Sequence, residues 1–129
     1  MTDAVTYSVD EARALLPEIR GTLLALAVER RRAGEAHAGL HRELRATGDR
    51  SPDAQEALEQ RTADLRAGVQ ALLEHLESLG VMVRDLDAGL VDIPTMRDGE
   101  PAWLCWRLSD PELAWWHTTS EGFTSRRPL

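Results

Sequence analysis

The stretch from Ser8 to Leu79 constrains this chain most, because its apolar residues recur at steps of three and four almost without a break. In the first half Leu16, Ile19, Leu23, Leu26, Ala33, Leu40 and Leu44 fall on one helical stripe, with Arg30 and His37 on the same line. In the second half Leu58, Thr62, Leu65, Val69, Leu72, Leu76 and Leu79 alternate four and three, the seam pattern of a coiled coil. Ser8 with Glu11 makes a capping box at the start. Gly48 suits a helix C-terminus, Ser51 a new N-cap and Pro52 a first helical position. Residues 8–79 are therefore expected to form a long antiparallel helical hairpin. Pro17 removes a backbone bond, so a kink or a later helix start is expected near it. At 1.5 Å per residue the first helix is about 55 Å long, more stripe than the remaining chain covers. A homodimer through the helices, as a four-helix arrangement, is the expected remedy.

After Gly80 the period changes from helical to alternating. Val81–Arg84, Leu90–Met96, Ala102–Leu108 and Leu113–Thr118 read as strands, and Asp98-Gly99 is a strong hairpin signal. Pro94 confines its strand to an edge or a bulge. The fold class is α+β: the helical hairpin, then a small antiparallel β-sheet. The 129 residues are expected to form a single domain, with 8–79 the helical hairpin, 81–118 a β-meander and 119–129 a C-terminal tail.

Composition narrows the chemistry. The 15 basic residues are all Arg, which excludes a catalytic Lys and a phosphate loop of the kind that needs one. A net charge of −7 argues against nucleic acid as a partner, since phosphate neutralisation needs a basic face. No apolar run approaches the ~20 residues of a membrane span, and the first residues carry no leader pattern, so a cytoplasmic location away from membranes is expected. A single cysteine, Cys105, allows neither an internal disulfide nor a Cys-rich zinc site.

The strands can be paired on paper. A two-residue loop at Asp98-Gly99 sets Asp92 opposite Cys105 and Val91 opposite Trp106. A four-residue turn from Ser109 to Glu112 sets Leu104 opposite His117 and Trp106 opposite Trp115. One face then carries Val91, Ile93, Leu104, Trp106, Trp115 and His117, the other Asp92, Trp103, Cys105, Arg107 and Trp116. A slip of one residue exchanges these partners. On this register Cys105 and His117 lie on opposite faces, which disfavours a Cys–His dyad, and Cys105 reads as a small buried hydrophobe.

His117 reads either as a buried histidine held by one hydrogen bond or as a metal ligand or general base. Asp92 stands inside a strand pattern where Asp is disfavoured. With Glu112 and His117 it makes an imidazole–carboxylate set of the kind that binds Zn, Mn or Fe. A bulge near Pro94 or Pro111 is needed to assemble that set. Asp85 and Asp87 read as turn formers. His37 and His41, one turn apart, have a spacing that suits two metal ligands. The His-Glu-x-x-His motif is absent, and His37 reads more simply as facing Thr62 in a polar layer near the hairpin tip, a register-fixing or surface role.

The run Asp85-Leu86-Asp87-Ala88-Gly89-Leu90-Val91-Asp92-Ile93-Pro94 is followed by Arg97-Asp98-Gly99, Leu104-Cys105-Trp106-Arg107-Leu108, Pro111-Glu112, Trp116-His117, Gly122-Phe123 and Arg126-Arg127-Pro128-Leu129. With Tyr7-Ser8, Glu11-Ala12 and Leu15-Leu16-Pro17-Glu18 before it, this order resembles an uncharacterised bacterial family, domain of unknown function 2203. The resemblance brings no established activity. It implies that Asp92, Trp106, Glu112, Trp116, His117 and Arg126 belong to the family's signature. Family members tend to follow the histidine with an acidic residue; here Thr118 and Thr119 follow it, with Glu121 the nearest substitute.

Two functional readings follow. In one, the chain is a metal-dependent enzyme of hydrolase or lyase type. His117, Glu112 and Asp92 hold a divalent ion that polarises water, Arg97, Arg107 or Arg126 holds a small anionic substrate, and Trp106 and Trp116 wall the pocket. In the other, it is a non-catalytic oligomerisation or partner-binding module that uses the hairpin, with the sheet as a cap.

Overall fold

A computed structural model describes residues 5–129; the first four, part of the segment read above for a leader, lie outside the described residues. The elements are α1 (Val9–Thr47), α2 (Pro52–Ser78), β1 (Met82–Asp85), β2 (Leu90–Arg97), β3 (Glu100–Trp106), β4 (Trp115–Thr118) and β5 (Arg127–Pro128). Two long helices precede one antiparallel sheet of order β1-β2-β3-β4-β5, an α+β fold. The chain divides into two compact units, one of Leu24–Leu73, the other of the residues up to Leu23 with Glu74–Leu129.

The Leu24–Leu73 unit is a helical hairpin. Gly48 closes α1 at φ 68°, and Ser51 Oγ accepts from the Ala54 N–H at 3.2 Å to open α2. His37 Nδ1 lies 3.3 Å from Thr62 Oγ1, so the two helices run antiparallel with these residues opposed. Leu26 is fully buried, whereas Leu40, Leu44, Leu58, Leu65, Val69 and Leu72 remain half-buried along the seam.

The other unit holds the larger core. The capping box forms as the sequence requires: Glu11 N–H donates to Ser8 Oγ at 3.1 Å and Ser8 N–H to Glu11 Oε1 at 2.9 Å. The helix runs on through Pro17, so the later start allowed for by the sequence does not occur. Ala12 and Ile19, on either side of the proline, are fully buried. They pack in one core with Leu23, Leu76, Val81, Val91, Ile93, Leu104, Trp106 and Leu113.

Asp98 (φ 53°) and Gly99 (φ 79°) form the expected two-residue turn, and β2 and β3 pair with Val91 opposite Trp106 and Asp92 opposite Cys105. Pro94 does not make β2 an edge strand: β2 lies between β1 and β3. The ladder with β1 ends at Asp92, and beyond it the Tyr7 N–H donates to the Pro94 carbonyl at 2.8 Å, so no partner there needs the missing proline N–H.

The β3–β4 pairing differs by one residue from the paper register. Trp103 opposes His117, Leu104 opposes Trp116 and Cys105 opposes Trp115. The connection runs from Arg107 to Ala114 instead of being a four-residue turn, because it folds around the buried carboxylate of Asp110, which accepts from the Arg107 N–H. Trp115 and His117 therefore move to the face of Asp92, Trp103 and Cys105, while Trp116 joins the face of Leu104 and Ile93. The tail contributes β5, whose Arg127 pairs with Trp116.

Gly89 sits at φ 61°, and a Cβ there would lie 2.5 Å from the Leu108 side chain; Gly99 at φ 79° faces open space. Gly89→Ala is expected to cost about 1 kcal/mol for its backbone plus about 1–3 kcal/mol for overpacking. Gly99→Ala should cost only the backbone part. Urea unfolding of the two variants checks this, and equal losses would contradict it.

Candidate metal centre

Asp92 from β2, Cys105 from β3 and His117 from β4 converge on one face of the sheet. Each is no more than 3% exposed, and one carboxylate oxygen, the thiol sulfur and one ring nitrogen all lie within 4.8 Å of one another. Donors on a tetrahedral ion with bonds of about 2.1–2.3 Å stand about 3.6 Å apart, so no pair needs to close by more than about 1 Å, and the Asp92–His117 pair, at 2.9 Å, needs to open slightly.

The surroundings hold these groups in place. His117 Nε2 lies 2.9 Å from Asp92 Oδ1, and His117 Nδ1 lies 2.8 Å from the Thr118 carbonyl. Both ring nitrogens therefore face oxygen acceptors, which requires a proton on each nitrogen or one on Asp92. A cation between Nε2 and Oδ1 would replace that proton and leave Nδ1–H donating to the backbone, the usual way a ligand histidine is oriented. The second Asp92 oxygen accepts from Arg84 Nε at 2.9 Å. Arg84 reaches it because β1 carries a bulge between Val83 and Asp85, which re-aims the side chain. Its guanidinium also lies 5.2 Å from the centre of the Trp103 ring.

Burial and the Asp92 charge push the Cys105 thiol up to about 11, with Arg126 beside the sulfur pulling weakly the other way. Such a thiol stays protonated at neutral pH and is a poor free nucleophile; a metal would have to displace its proton. Arg126 also pairs with Asp110, at 2.8 and 3.4 Å, and stacks on Trp115 and Phe123. Burial alone would raise the Asp110 carboxyl, but the Arg126 guanidinium and the Arg107 N–H hold it below its ordinary value.

Of the residues singled out from the sequence, Asp92 and His117 are brought together. Glu112 is exposed in the β3–β4 connection, outside this donor group. Arg107 and Arg126 both hold Asp110, and Arg97 stacks 4.4 Å over Trp116 on the opposite face. Trp106 is fully buried in the helix-facing core under Arg20, and its Nε1 has no hydrogen-bond partner among the described residues. Cys105, Arg84 and Asp110 were not read as site residues. The Asp92–Cys105 pairing was derivable, but the bulge at Arg84 and the wrapped loop at Asp110 leave no mark in the period-2 pattern.

A sequence model of the family described as Uncharacterized conserved protein (DUF2203) matches residues 6–129. No curated protein and no solved structure matches the chain.

Because its folded-state value is lowered, the Asp110 carboxylate adds stability above about pH 3.8 that is lost as pH falls below it. Asp110→Ala, which strands Arg126, is expected to cost about 3–5 kcal/mol at neutral pH. The variant should also lose less further stability than the wild type on going to pH 3. Chemical unfolding at both pH values checks this.

Proposed function

The chain belongs to the DUF2203 family, and from the sheet geometry we propose that it is a metal-binding protein whose ion is held by Asp92, Cys105 and His117. The observation that carries this reading is the convergence of three buried donor atoms from three adjacent strands within 4.8 Å. A thiolate among the donors favours zinc over manganese. Three protein ligands leave a fourth position for water, the arrangement by which an ion generates hydroxide or polarises a carbonyl at neutral pH. The chain is on this reading a metal-dependent enzyme of hydrolase or lyase type. Arg84, partly exposed beside Asp92, is the cation best placed to meet a small anionic substrate.

Protein purified without chelator or affinity tag, or dialysed against zinc, is expected to hold one ion in this site. Cys105→Ala and His117→Ala should lose it, and Glu112→Ala should keep it. Because binding displaces the Cys105 proton, apparent affinity should rise about tenfold per pH unit for each proton released as pH increases. Equal zinc content in wild type and Cys105→Ala would overturn the assignment.

A second reading rests on the hairpin. Its seam leucines Leu58, Leu65 and Leu72 stay half-buried within the Leu24–Leu73 unit, which supports self-association through the helices. Light scattering at micromolar concentration should then give twice the 14.4 kDa chain mass, reduced towards one chain in Leu65→Ala. A stable 14.4 kDa species would contradict it.

A further inference from the structure

The helical hairpin carries a second cluster of nitrogen donors, independent of the sheet. His37 and His41 lie one turn apart on α1, and their Nε2 atoms are 3.0 Å apart, with the rings edge to face at 79°. The hydrogen-bond pattern accommodates a His37 protonated on Nδ1. The Thr62 hydroxyl has a single proton and donates it to the Leu58 carbonyl at 2.9 Å. With the proton so placed, the hydroxyl oxygen accepts from a protonated His37 Nδ1 at the 3.3 Å contact, and Nε2 presents a lone pair. That lone pair points at the corresponding nitrogen of His41. A histidine whose outer N–H is held while its inner nitrogen faces a second imidazole is arranged much as metal-ligating histidines are.

We propose that His37 and His41 form a bidentate imidazole chelate for a late first-row divalent cation, copper(II) or nickel(II). The distance suits one coordination geometry with little change. Two nitrogens about 2.1 Å from an ion lie about 3.0 Å apart when they are at right angles, and about 3.4 Å apart at a tetrahedral angle. The observed 3.0 Å matches adjacent positions of a tetragonal or octahedral ion, which is the preference of copper(II) and nickel(II). Binding requires that the His41 Nε2 proton move to Nδ1 and that the two rings turn so that both lone pairs meet at the ion, with water filling the remaining positions. Thr62 is a positioning residue, since it acts through His37.

The experiment is calorimetric titration of the full chain with nickel chloride in the Cys105→Ala background, which removes the thiolate from the sheet centre. One nickel ion per chain should bind, and it should raise the unfolding temperature. His41→Ala should lose this binding while keeping its helix content by circular dichroism. Thr62→Val should weaken it by about tenfold, as loss of an orienting partner does elsewhere. His75→Ala, whose ring contacts Glu18 instead, should leave it unchanged. Nickel binding that is absent from the Cys105→Ala chain, or that persists unchanged in His41→Ala, would overturn the proposal. Neither result bears on whether Asp92, Cys105 and His117 hold zinc.

Discussion

The hydrogen bond between His117 and Asp92 crosses β3 and joins two strands that are not neighbours. Both side chains are almost wholly buried, and a carboxylate out of water is tolerated only when its oxygens are matched. One oxygen meets the histidine and the other meets Arg84, so the β1 bulge that delivers Arg84 is part of the same requirement. The β3–β4 register is set by it too: a one-residue slip of β4 would turn His117 to the opposite face and leave Asp92 with one partner fewer. Asp110 does for the β3–β4 connection what Asp92 does for the strands, gathering Arg126 and the Arg107 N–H around a second buried carboxylate.

Between these two acids lies Cys105. Its raised thiol makes it a poor nucleophile, and its sulfur, within 4.8 Å of the Asp92 and His117 donor atoms, supports the proposed ligand role. The chemistry is consistent across the group: an imidazole oriented by a backbone carbonyl, a carboxylate oriented by a guanidinium, and a soft donor kept dry. On the proposed metal-binding reading, a cation in place of the proton between His117 and Asp92 relieves the crowding of acceptors around His117 and gives these buried polar residues a use.

Much of the fold was legible because several local signals agreed. The three–four stripe, the Ser8–Glu11 box, the Gly48-to-Pro52 turn and Asp98-Gly99 each specify one geometry, and each appears as read. The pairing of Asp92 with Cys105 followed from the two-residue turn alone. The β3–β4 pairing was not legible, because Trp115 and Trp116 are equally apolar and their alternation does not say which faces the helices. Its length depended on a charge network rather than on turn residues. The same slip placed His117 on the wrong face and hid the donor group that Cys105 completes. Pro94 misled for a related reason: strand β1 stops short of it, a matter of tertiary neighbours rather than of local sequence.

The central claim is that Asp92, Cys105 and His117 act as one ligand set. Zinc-edge X-ray absorption of a His41→Ala chain loaded with one equivalent of zinc tests it most directly. The account predicts a single sulfur at about 2.3 Å together with nitrogen and oxygen at about 2.0–2.2 Å, and loss of the sulfur shell in Cys105→Ala. A shell of nitrogen and oxygen alone, unchanged by that substitution, would contradict it.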